Sequence, residues 1–372
     1  MQIQRWINVE ALTVHLDNAR TIEIEGRSTV RALLFLEDGK HLLSSGEDGM
    51  IRQWCIEDGK QVREAIKGSD CVRALALSGD RKWIVSGEFK LASVWNRNTW
   101  EKVVGVHEHT LEVEAVDISP DSTKFATGAI DKKAFIWDIS NGQRLVGPLQ
   151  HNSSVVAVKF SPDGDYLATT SFNHEALRIY NAHTSQLIRT IPVKAFGLAT
   201  IAWSSDSQRI FASSSSTIRH IYVDTGSFIS QWTIPGDTYD AHGSLAVPSN
   251  GRFIASFVGK SLSLWDSSTC ERFGPVFDHP DQRLRSIALS SDNNYVATSG
   301  ENGIITIRNL NNIIPIPYLV QRPQNAIGAN LRLQFEAYEA FYGVLRTLES
   351  RFGVFFGNPS CVRLNANANQ TN

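Results

Sequence analysis

The feature that most constrains this chain is an internal repeat of about 42 residues. Each repeat ends in a short alternating strand pattern, and in most repeats an aromatic residue closes it. The closing positions are Trp54, Trp95, Trp137, Tyr180, Val223, Trp265 and Arg308. A unit of this length cannot bury its apolar faces alone, so neighbouring units must stack to build a core.

Two further strand patterns precede the closing one in each repeat. The nearer ends in small residues, as in HLLSSG, KFATG and YVATSG, and the other ends at turns such as SPDS, SPDG and SSDN. Short β-branched and aromatic runs separated by Gly, Ser, Asp and Asn are typical of strands and hairpins, and helical spacing is absent. Four strands in each of seven repeats predict an all-β fold, a seven-bladed β-propeller.

These repeats resemble the WD40-repeat family over about residues 20–312. The resemblance implies a hydrogen-bond relay that is complete in the third repeat, at His109, Thr127, Asp131 and Trp137. The first repeat keeps three members, Ser44, Asp48 and Trp54. It has Gly26 where the family has His, and the other repeats keep only fragments. Such a relay satisfies a buried indole N–H that would otherwise cost about 1–3 kcal/mol.

The repeat divides the chain into an N-terminal lead-in (1–19), the propeller (20–312) and a C-terminal extension (313–372). An open ring would leave unpaired strand edges, so the last blade needs an outer strand. The resemblance implies that about residues 20–26, which alternate correctly, supply it. Residues 313–320 are the alternative, although Pro315 and Pro317 lack the amide donors of a strand ladder.

The extension breaks the repeat and has a pattern of its own. Apolar side chains spaced by three and four residues predict an amphipathic helix over about residues 330–352, with Asn330 as the cap and Gly353 after the last turn. This helix either packs on the propeller or provides an additional partner contact. We expect the last dozen residues to be disordered.

Charge and composition exclude several classes of protein. The net charge of −2 argues against a nucleic-acid binder that works by broad phosphate neutralisation. No apolar run approaches the roughly 20 residues that cross a bilayer, and the N-terminus lacks the apolar region of a signal peptide. The four cysteines lack the spacing of a zinc site or disulfide framework. We therefore predict a cytoplasmic protein, with the nucleus as the alternative.

Motifs that carry chemistry are missing. The sequence contains no GxSxG, HExxH or GxGxxG. Gly259-Lys260-Ser261 resembles the end of a phosphate-binding loop but has Ile254 in place of the earlier glycine. We therefore predict no catalytic residue, cofactor or metal, and no enzyme activity. There are two alternatives. One is a propeller enzyme, either a metal-assisted hydrolase or a redox enzyme, and the other is a ligand-triggered recognition module.

The remaining candidate for function is the surface. The resemblance implies that loops on the narrower face of the propeller bind a peptide or protein. The candidate partner-binding residues on these loops are Phe89, Phe172, Phe196, Tyr239, Arg283, Glu47 and Ile130. Aromatic and Arg side chains are enriched among interface anchors, although such residues also plug a channel or pack on neighbouring loops. The sequence thus predicts a non-catalytic protein-interaction scaffold that binds neither nucleic acid nor membrane.

Overall fold

A computed structural model describes residues 19–23, 28–36, 38–172, 176–193, 200–214, 217–234, 243–248, 251–311 and 313. The chain divides into two units, Met1–Leu310 and Asn311–Asn372, and the strands of the described residues all lie in the first. The predicted helix over about residues 330–352 and the predicted disordered end lie outside the described residues. In the described part, no helix has the length and apolar character needed to cross a membrane.

The strands are short, as the repeat predicts. The first strand is β1 (Ala19–Glu23). Blade 1 contains β2 (Val30–Phe35), β3 (His41–Gly46), β4 (Met50–Cys55) and β5 (Ile66–Lys67). Blade 2 contains β6 (Ala74–Leu77), β7 (Trp83–Gly87), β8 (Ala92–Asn96) and β9 (Lys102–Val106). Blade 3 contains β10 (Val113–Ile118), β11 (Lys124–Ala129), β12 (Lys133–Asp138) and β13 (Arg144–Gln150).

The remaining blades follow the same plan. Blade 4 contains β14 (Val155–Phe160), β15 (Tyr166–Ser171), β16 (Ala176–Asn181) and β17 (Leu187–Pro192). Blade 5 contains β18 (Ile201–Trp203), β19 (Arg209–Ser213), β20 (Thr217–Tyr222) and β21 (Phe228–Thr233). Blade 6 contains β22 (Gly243–Ala246), β23 (Phe253–Val258), β24 (Ser261–Asp266) and β25 (Arg272–Asp278). Blade 7 contains β26 (Leu284–Leu289), β27 (Tyr295–Gly300) and β28 (Ile304–Asn309).

Seven four-stranded antiparallel sheets result, and they form a closed ring. The first strand of each blade, called strand a here, contacts strand a of the next blade all the way round, including β26 against β2. Blade 7 takes its outer strand from the N-terminus, since β1 pairs with β28 and Ile22 lies opposite Ile305. The predicted all-β, seven-bladed propeller is thereby confirmed.

Apolar clusters between neighbouring blades form the core. Between blades 2 and 3, Val94 and Val104 pack with Phe125, Phe135 and Trp137. The last three are at most 2% exposed. Both faces of the second strand of each blade are buried in this way, which explains why these strands end in small residues such as those of HLLSSG and YVATSG. Each fully buried large side chain contributes about 1.5–3 kcal/mol to folding.

The strand register corrects one repeat position. In blade 3, Trp137 pairs with Phe125, and in blade 5 the equivalent pair is Ile221 with Ile210. Ile221 therefore closes the fifth repeat, whereas Val223 lies beyond the end of β20. The prediction of Val223 was wrong because it assumed even spacing, while the β19–β20 hairpin is shorter than the β11–β12 hairpin.

The outer strands of blades 2 to 5 share a bulge. In each, one extra residue interrupts the pairing with the neighbouring strand, and its aliphatic side chain faces solvent. These residues are Val103, Leu145, Ile188 and Ile229. A bulged edge offers a poor template for pairing with another chain, so the bulges protect the outer edges of the ring.

Candidate functional site

Two sets of loops meet on one face of the propeller. One set joins the second and third strands of each blade, and the other joins the fourth strand to strand a of the next blade. We call the surface that they form the loop face. The relay residues hold these loops from below, and the candidate partner-binding residues that the structure describes lie on them.

Blade 3 brings together all four residues of the relay. Thr127 Oγ1 accepts a hydrogen bond from Trp137 Nε1 at 2.9 Å and lies 2.7 Å from His109 Nε2. His109 Nδ1 lies 3.0 Å from Asp131 Oδ2, which also accepts the backbone N–H of Thr110 at 2.9 Å. The relay thus ties two loops of the loop face to the blade core.

Two further histidines occupy the same place in other blades. His151 in blade 4 lies 3.3 Å from Thr169 Oγ1, and His279 in blade 7 lies 3.0 Å from Thr298 Oγ1. In blade 7, Arg308 Nη1 lies 2.8 Å from His279 Nε2 and takes the place of Trp. Neither histidine was predicted from the sequence. The spacing of 18 residues between His109 and Thr127, which His151 and Thr169 repeat, is the signal that would have identified the first.

Burial controls the protonation of these histidines. It lowers the pKa of His109, although the Asp131 carboxylate opposes the shift. It lowers the pKa of His151 to about 4, and the positive charge of Arg178 acts in the same direction. Both side chains are therefore neutral at pH 7, which lets each ring accept one hydrogen bond and donate another.

Blade 1 keeps a shorter version of the relay. Trp54 Nε1 donates to Ser44 Oγ at 2.8 Å. Asp48 accepts from the backbone N–H of Met50 at 3.0 Å and from Arg52 Nη1 at 2.6 Å. Arg52 thus takes the role of partner to the turn carboxylate, while Gly26 lies outside the described residues.

Blade 2 replaces the histidine with a buried carboxylate. Trp95 Nε1 donates to Ser86 Oγ at 2.8 Å, and Ser86 Oγ donates to Glu88 Oε1 at 2.8 Å. Glu88 Oε2 accepts from both the backbone N–H and the hydroxyl of Ser69, each at 2.6 Å. Glu88 is completely buried, so these three donors are what make its burial tolerable.

Glu88 stands at a position that is exposed in blades 1 and 7. The residue after the second strand is Glu47 in blade 1, Glu88 in blade 2, Ile130 in blade 3, Phe172 in blade 4 and Glu301 in blade 7. Glu47 and Glu301 pair with arginines of strand a in their own blades, Arg31 at 2.5 Å and Arg285. The repeats of blades 1, 2 and 7 share a Gly-Glu pair at this position, which is a sequence signal that could have identified it.

Arg73 has no such partner within blade 2, because Glu88 points into the relay. Instead it reaches across to blade 3, where Nη1 lies 2.6 Å from Glu114 Oε1 and Nη2 lies 3.6 Å from Glu112 Oε1. The charged cluster at the blade 1 to 3 side of the loop face therefore consists of Arg31, Glu47, Arg73, Glu112 and Glu114. It contains three carboxylates and two guanidinium groups.

The charged cluster shifts the pKa values of its carboxyl groups in opposite directions. Burial raises the pKa of Glu114 despite the nearby charges of Arg73 and Arg31. For Glu47, burial is outweighed by the hydrogen bond from Arg31 and the charges of Arg31 and Arg73, so its pKa is lowered. Glu47 is thus held in the ionised form at the surface.

Two exposed apolar side chains lie beside the charged cluster. Phe89 and Leu111 are each 40% exposed. Phe89 forms an antiparallel bridge with Glu112, and Lys90 N–H donates to the Leu111 carbonyl at 3.1 Å. Ile130 N–H donates to the carbonyl of Glu112 at 2.9 Å on the other side. Backbone bonds therefore fix Phe89 and Leu111, which we call the apolar pair, at the corner between blades 2 and 3.

The structure distributes the other candidate residues around the face. Ile130 is half-buried at the corner, and Phe172 is half-buried in blade 4, where its N–H donates to the Ser154 carbonyl at 2.8 Å. Arg283 is exposed in blade 7, and its carbonyl accepts from Glu301 N–H at 3.2 Å. Phe196 and Tyr239 lie outside the described residues. Phe89, Ile130 and Glu47 thus share one side of the face, and Arg283 lies apart from the corner.

Among the described residues, no group of three or more His, Cys, Asp or Glu side chains is arranged to hold a metal ion.

Several repeats of this chain match the model of a known family. The sequence model of the WD domain, G-beta repeat, matches residues 19–55, 100–138, 143–181 and 272–309. Four segments of this chain are therefore WD40 repeats. Each matched segment contains one outer strand and the three strands that follow it in the chain. The four outer strands are β1, β9, β13 and β25.

One curated relative resembles part of this chain. The chain is 40% identical over 68 residues to the U3 small nucleolar RNA-associated protein 18 homolog of Arabidopsis thaliana. The match covers 18% of this chain and 12% of that protein. The likeness is therefore confined to a small part of both proteins.

Proposed function

We propose that this WD40 propeller is a non-catalytic scaffold that binds a protein or peptide on its loop face. WD40 propellers are typically protein-interaction scaffolds, which supports this class of function. The observation that carries the proposal is the apolar pair, Phe89 and Leu111, held by backbone hydrogen bonds at the corner between blades 2 and 3.

The location of the apolar pair distinguishes it from other exposed apolar residues. Among the described residues, the other large apolar side chains that face solvent lie on or beside the two outer strands of their blades, as Val103 and Leu145 do. Four of them, Val103, Leu145, Ile188 and Ile229, are the extra residues of the edge bulges. Phe89 and Leu111 belong to two neighbouring loops instead, where no strand edge needs protection.

The fixed loops make binding efficient. A partner that covers Phe89 and Leu111 removes apolar surface from water, and an aromatic anchor of this kind contributes about 2 kcal/mol or more to binding. Since the bridge to Glu112 already fixes the loops, little conformational entropy is lost when the partner binds.

The name of the Arabidopsis relative associates that protein with RNA. For this chain, the surplus of carboxylates in the charged cluster favours a protein partner.

The test compares two pairs of substitutions that remove equal amounts of apolar surface. In one variant, Phe89→Ser and Leu111→Ser change the apolar pair. In the control, Val103→Ser and Leu145→Ser change outer-strand residues that are 48% and 45% exposed. Quantitative affinity purification with each full-length protein measures which bound proteins are lost.

We expect the loop-face variant to lose a defined set of partners that the outer-strand variant retains, with thermal unfolding unchanged in both. Equal partner sets for the loop-face variant and the native protein contradict the assignment of binding to this corner. Loss from the outer-strand variant alone moves the binding surface to the edge of the ring.

A further inference from the structure

The arrangement of charge around the apolar pair carries an inference about partner chemistry, and it rests on the function proposed above. We propose that the corner of blades 2 and 3 binds a single basic side chain, lysine or arginine, of an extended peptide segment. The Phe89 ring and the carboxylates of Glu112 and Glu47 receive it, and a neighbouring apolar residue of the segment covers Leu111.

The Phe89 ring already has a cation over it. Lys90 Nζ lies 4.9 Å from the centre of the ring, within the range of a cation–π interaction. Lys90 is exposed, and its ammonium group is in no ion pair with a carboxylate of the described residues. The ring is therefore accessible to a cation from outside, and Lys90 occupies the position that a partner's basic group would take.

A carboxylate lies next to this ring. Phe89 and Glu112 are bridged in antiparallel fashion, and side chains at such positions have Cβ atoms about 4.5–5.5 Å apart. A ring face combined with a carboxylate at this separation suits an ammonium or guanidinium group better than either does alone. Counted from the end of the second strand, the position of Phe89 is held by Asp48 in blade 1, Asp131 in blade 3 and Asn302 in blade 7, so these blades do not repeat the arrangement.

Glu47 is the most exposed charged side chain of the cluster. The side chains of Glu47 and Glu112 are 44% and 28% exposed, whereas those of Arg31 and Arg73 are 24% and 21% exposed. Each arginine reaches its glutamate through one carboxylate oxygen, and a carboxylate can accept about four hydrogen bonds. The arginines therefore orient the carboxylates and leave them able to accept from a partner.

The charge balance points the same way. With three carboxylates and two guanidinium groups, the charged cluster has one negative charge in excess, which the ammonium group of Lys90 beside it balances until a partner's cation takes its place. An acidic segment would have to approach Arg31 and Arg73 past the more exposed Glu47 and Glu112, which like-charge repulsion opposes. A phosphate backbone meets the same obstacle, so RNA is disfavoured at this corner.

The experiment uses the full-length protein and a phage-displayed library of random heptapeptides. Selected peptides are then synthesised, and their affinities are measured by fluorescence anisotropy at two salt concentrations. Three variants are compared with the native protein: Glu47→Gln with Glu112→Gln, Lys90→Ser, and Glu301→Gln as the matched control. Glu301 has the same position and the same kind of arginine partner as Glu47, but it lies in blade 7.

We expect the library to be enriched in peptides with Lys or Arg next to an apolar residue. The double glutamine variant should weaken their binding on the order of tenfold, and Glu301→Gln should leave it unchanged. Lys90→Ser should strengthen binding, because it removes the competing cation. A purely structural role of the two glutamates would not produce this opposite effect of Lys90.

Three results overturn the inference. Enrichment in Asp or Glu would assign recognition to Arg31 and Arg73, and it would leave the loop-face function intact. If basic peptides bind the Glu47→Gln, Glu112→Gln variant as tightly as the native protein, their binding site lies elsewhere. Binding of a single-stranded oligouridine probe in place of any peptide, lost on Arg31→Gln with Arg73→Gln, would make the corner an RNA site and would overturn the proposed function as well.

Discussion

Blades 2 and 3 are neighbours with the same strand order, yet they hold their loops by different chemistry. In blade 3 the Trp137 indole is supported through Thr127, His109 and Asp131, and the loop after the second strand presents Ile130. In blade 2 the support runs from Trp95 through Ser86 to Glu88. The loop after it presents Phe89 and Lys90.

The difference teaches that relay chemistry and surface chemistry are coupled. Because Glu88 is used inside the blade, Arg73 lacks the partner that Arg31 and Arg285 find in Glu47 and Glu301. Arg73 therefore pairs with Glu112 and Glu114 of blade 3 and joins the two blades at the loop face. Divergence of the second repeat from the family pattern thus creates the corner that we assign to binding.

Removal of the shared hydroxyl in blade 3 should have the largest effect on stability. Thr127→Val preserves the side-chain volume but leaves Trp137 Nε1 and His109 Nε2 without a partner. We expect the free energy of unfolding to fall by about 4 kcal/mol, since each buried unpaired group costs about 1–3 kcal/mol.

The matched change in blade 2, Ser86→Ala, should cost about 2 kcal/mol, because Glu88 keeps both donors from Ser69. Denaturant unfolding of both variants against the native protein measures the difference. Equal losses in the two blades would mean that the histidine adds nothing to the relay of blade 3.

Relays built on a histidine should also respond to acid. The pKa of His151 is about 4 in the folded protein, and an unfolded histidine titrates near 6.5. Below pH 6.5 the unfolded chain therefore takes up a proton that the folded chain does not accept until about pH 4. Stability due to this group is fully present above pH 6.5 and falls by up to about 3 kcal/mol across that window.

The effect is measured by unfolding the native protein and His151→Gln at pH 7, 6 and 5. The variant should show a shallower decline with falling pH. His183→Gln, which changes an exposed histidine of the same blade, serves as the control and should follow the native protein. Parallel curves for all three proteins would exclude His151 as the source of the acid sensitivity.

The smallest effect should separate the buried from the exposed glutamate. Glu88→Gln exchanges a carboxylate oxygen that accepts a hydrogen bond for a donor group, so at least one bond from Ser69 or Ser86 is lost. We expect a loss of about 2 kcal/mol in blade 2, whereas Glu47→Gln in blade 1 should change stability by no more than about 0.5 kcal/mol.

Thermal unfolding of Glu88→Gln and Glu47→Gln side by side gives the comparison. A large loss with Glu47→Gln would show that the ion pair with Arg31 supports the fold, and it would remove the distinction between the two positions.

The sequence was sufficient for the fold because the repeat imposes it. A period of about 42 residues with strand alternation leaves a propeller as the arrangement that buries every unit. Individual positions were less secure. Val223 was misplaced because loop lengths vary between blades, and Ile221 has no feature that distinguishes it from other core aliphatics.

The candidate site was accessible to sequence reasoning only in part. Phe89, Ile130 and Glu47 could be placed on loops by counting residues from the repeat. Their proximity to Glu112 depends on a bridge between loops of two blades, which no local pattern encodes. The sequence does not predict that Glu88 turns inward either, since the same Gly-Glu pair provides the exposed glutamates of blades 1 and 7. A cytoplasmic location stays a prediction.

The pairing of β1 with β28 also sets an order of events during synthesis. The ribosome makes Ala19–Glu23 first, yet its partner Ile304–Asn309 emerges only after almost the entire propeller. At about 5–20 residues per second, the first strand waits roughly 15–60 s for its neighbour. Throughout that time β1 has no partner strand, whereas the four strands of blade 1 are all made by Lys67, so β1 is the strand that a chaperone can cover in this interval.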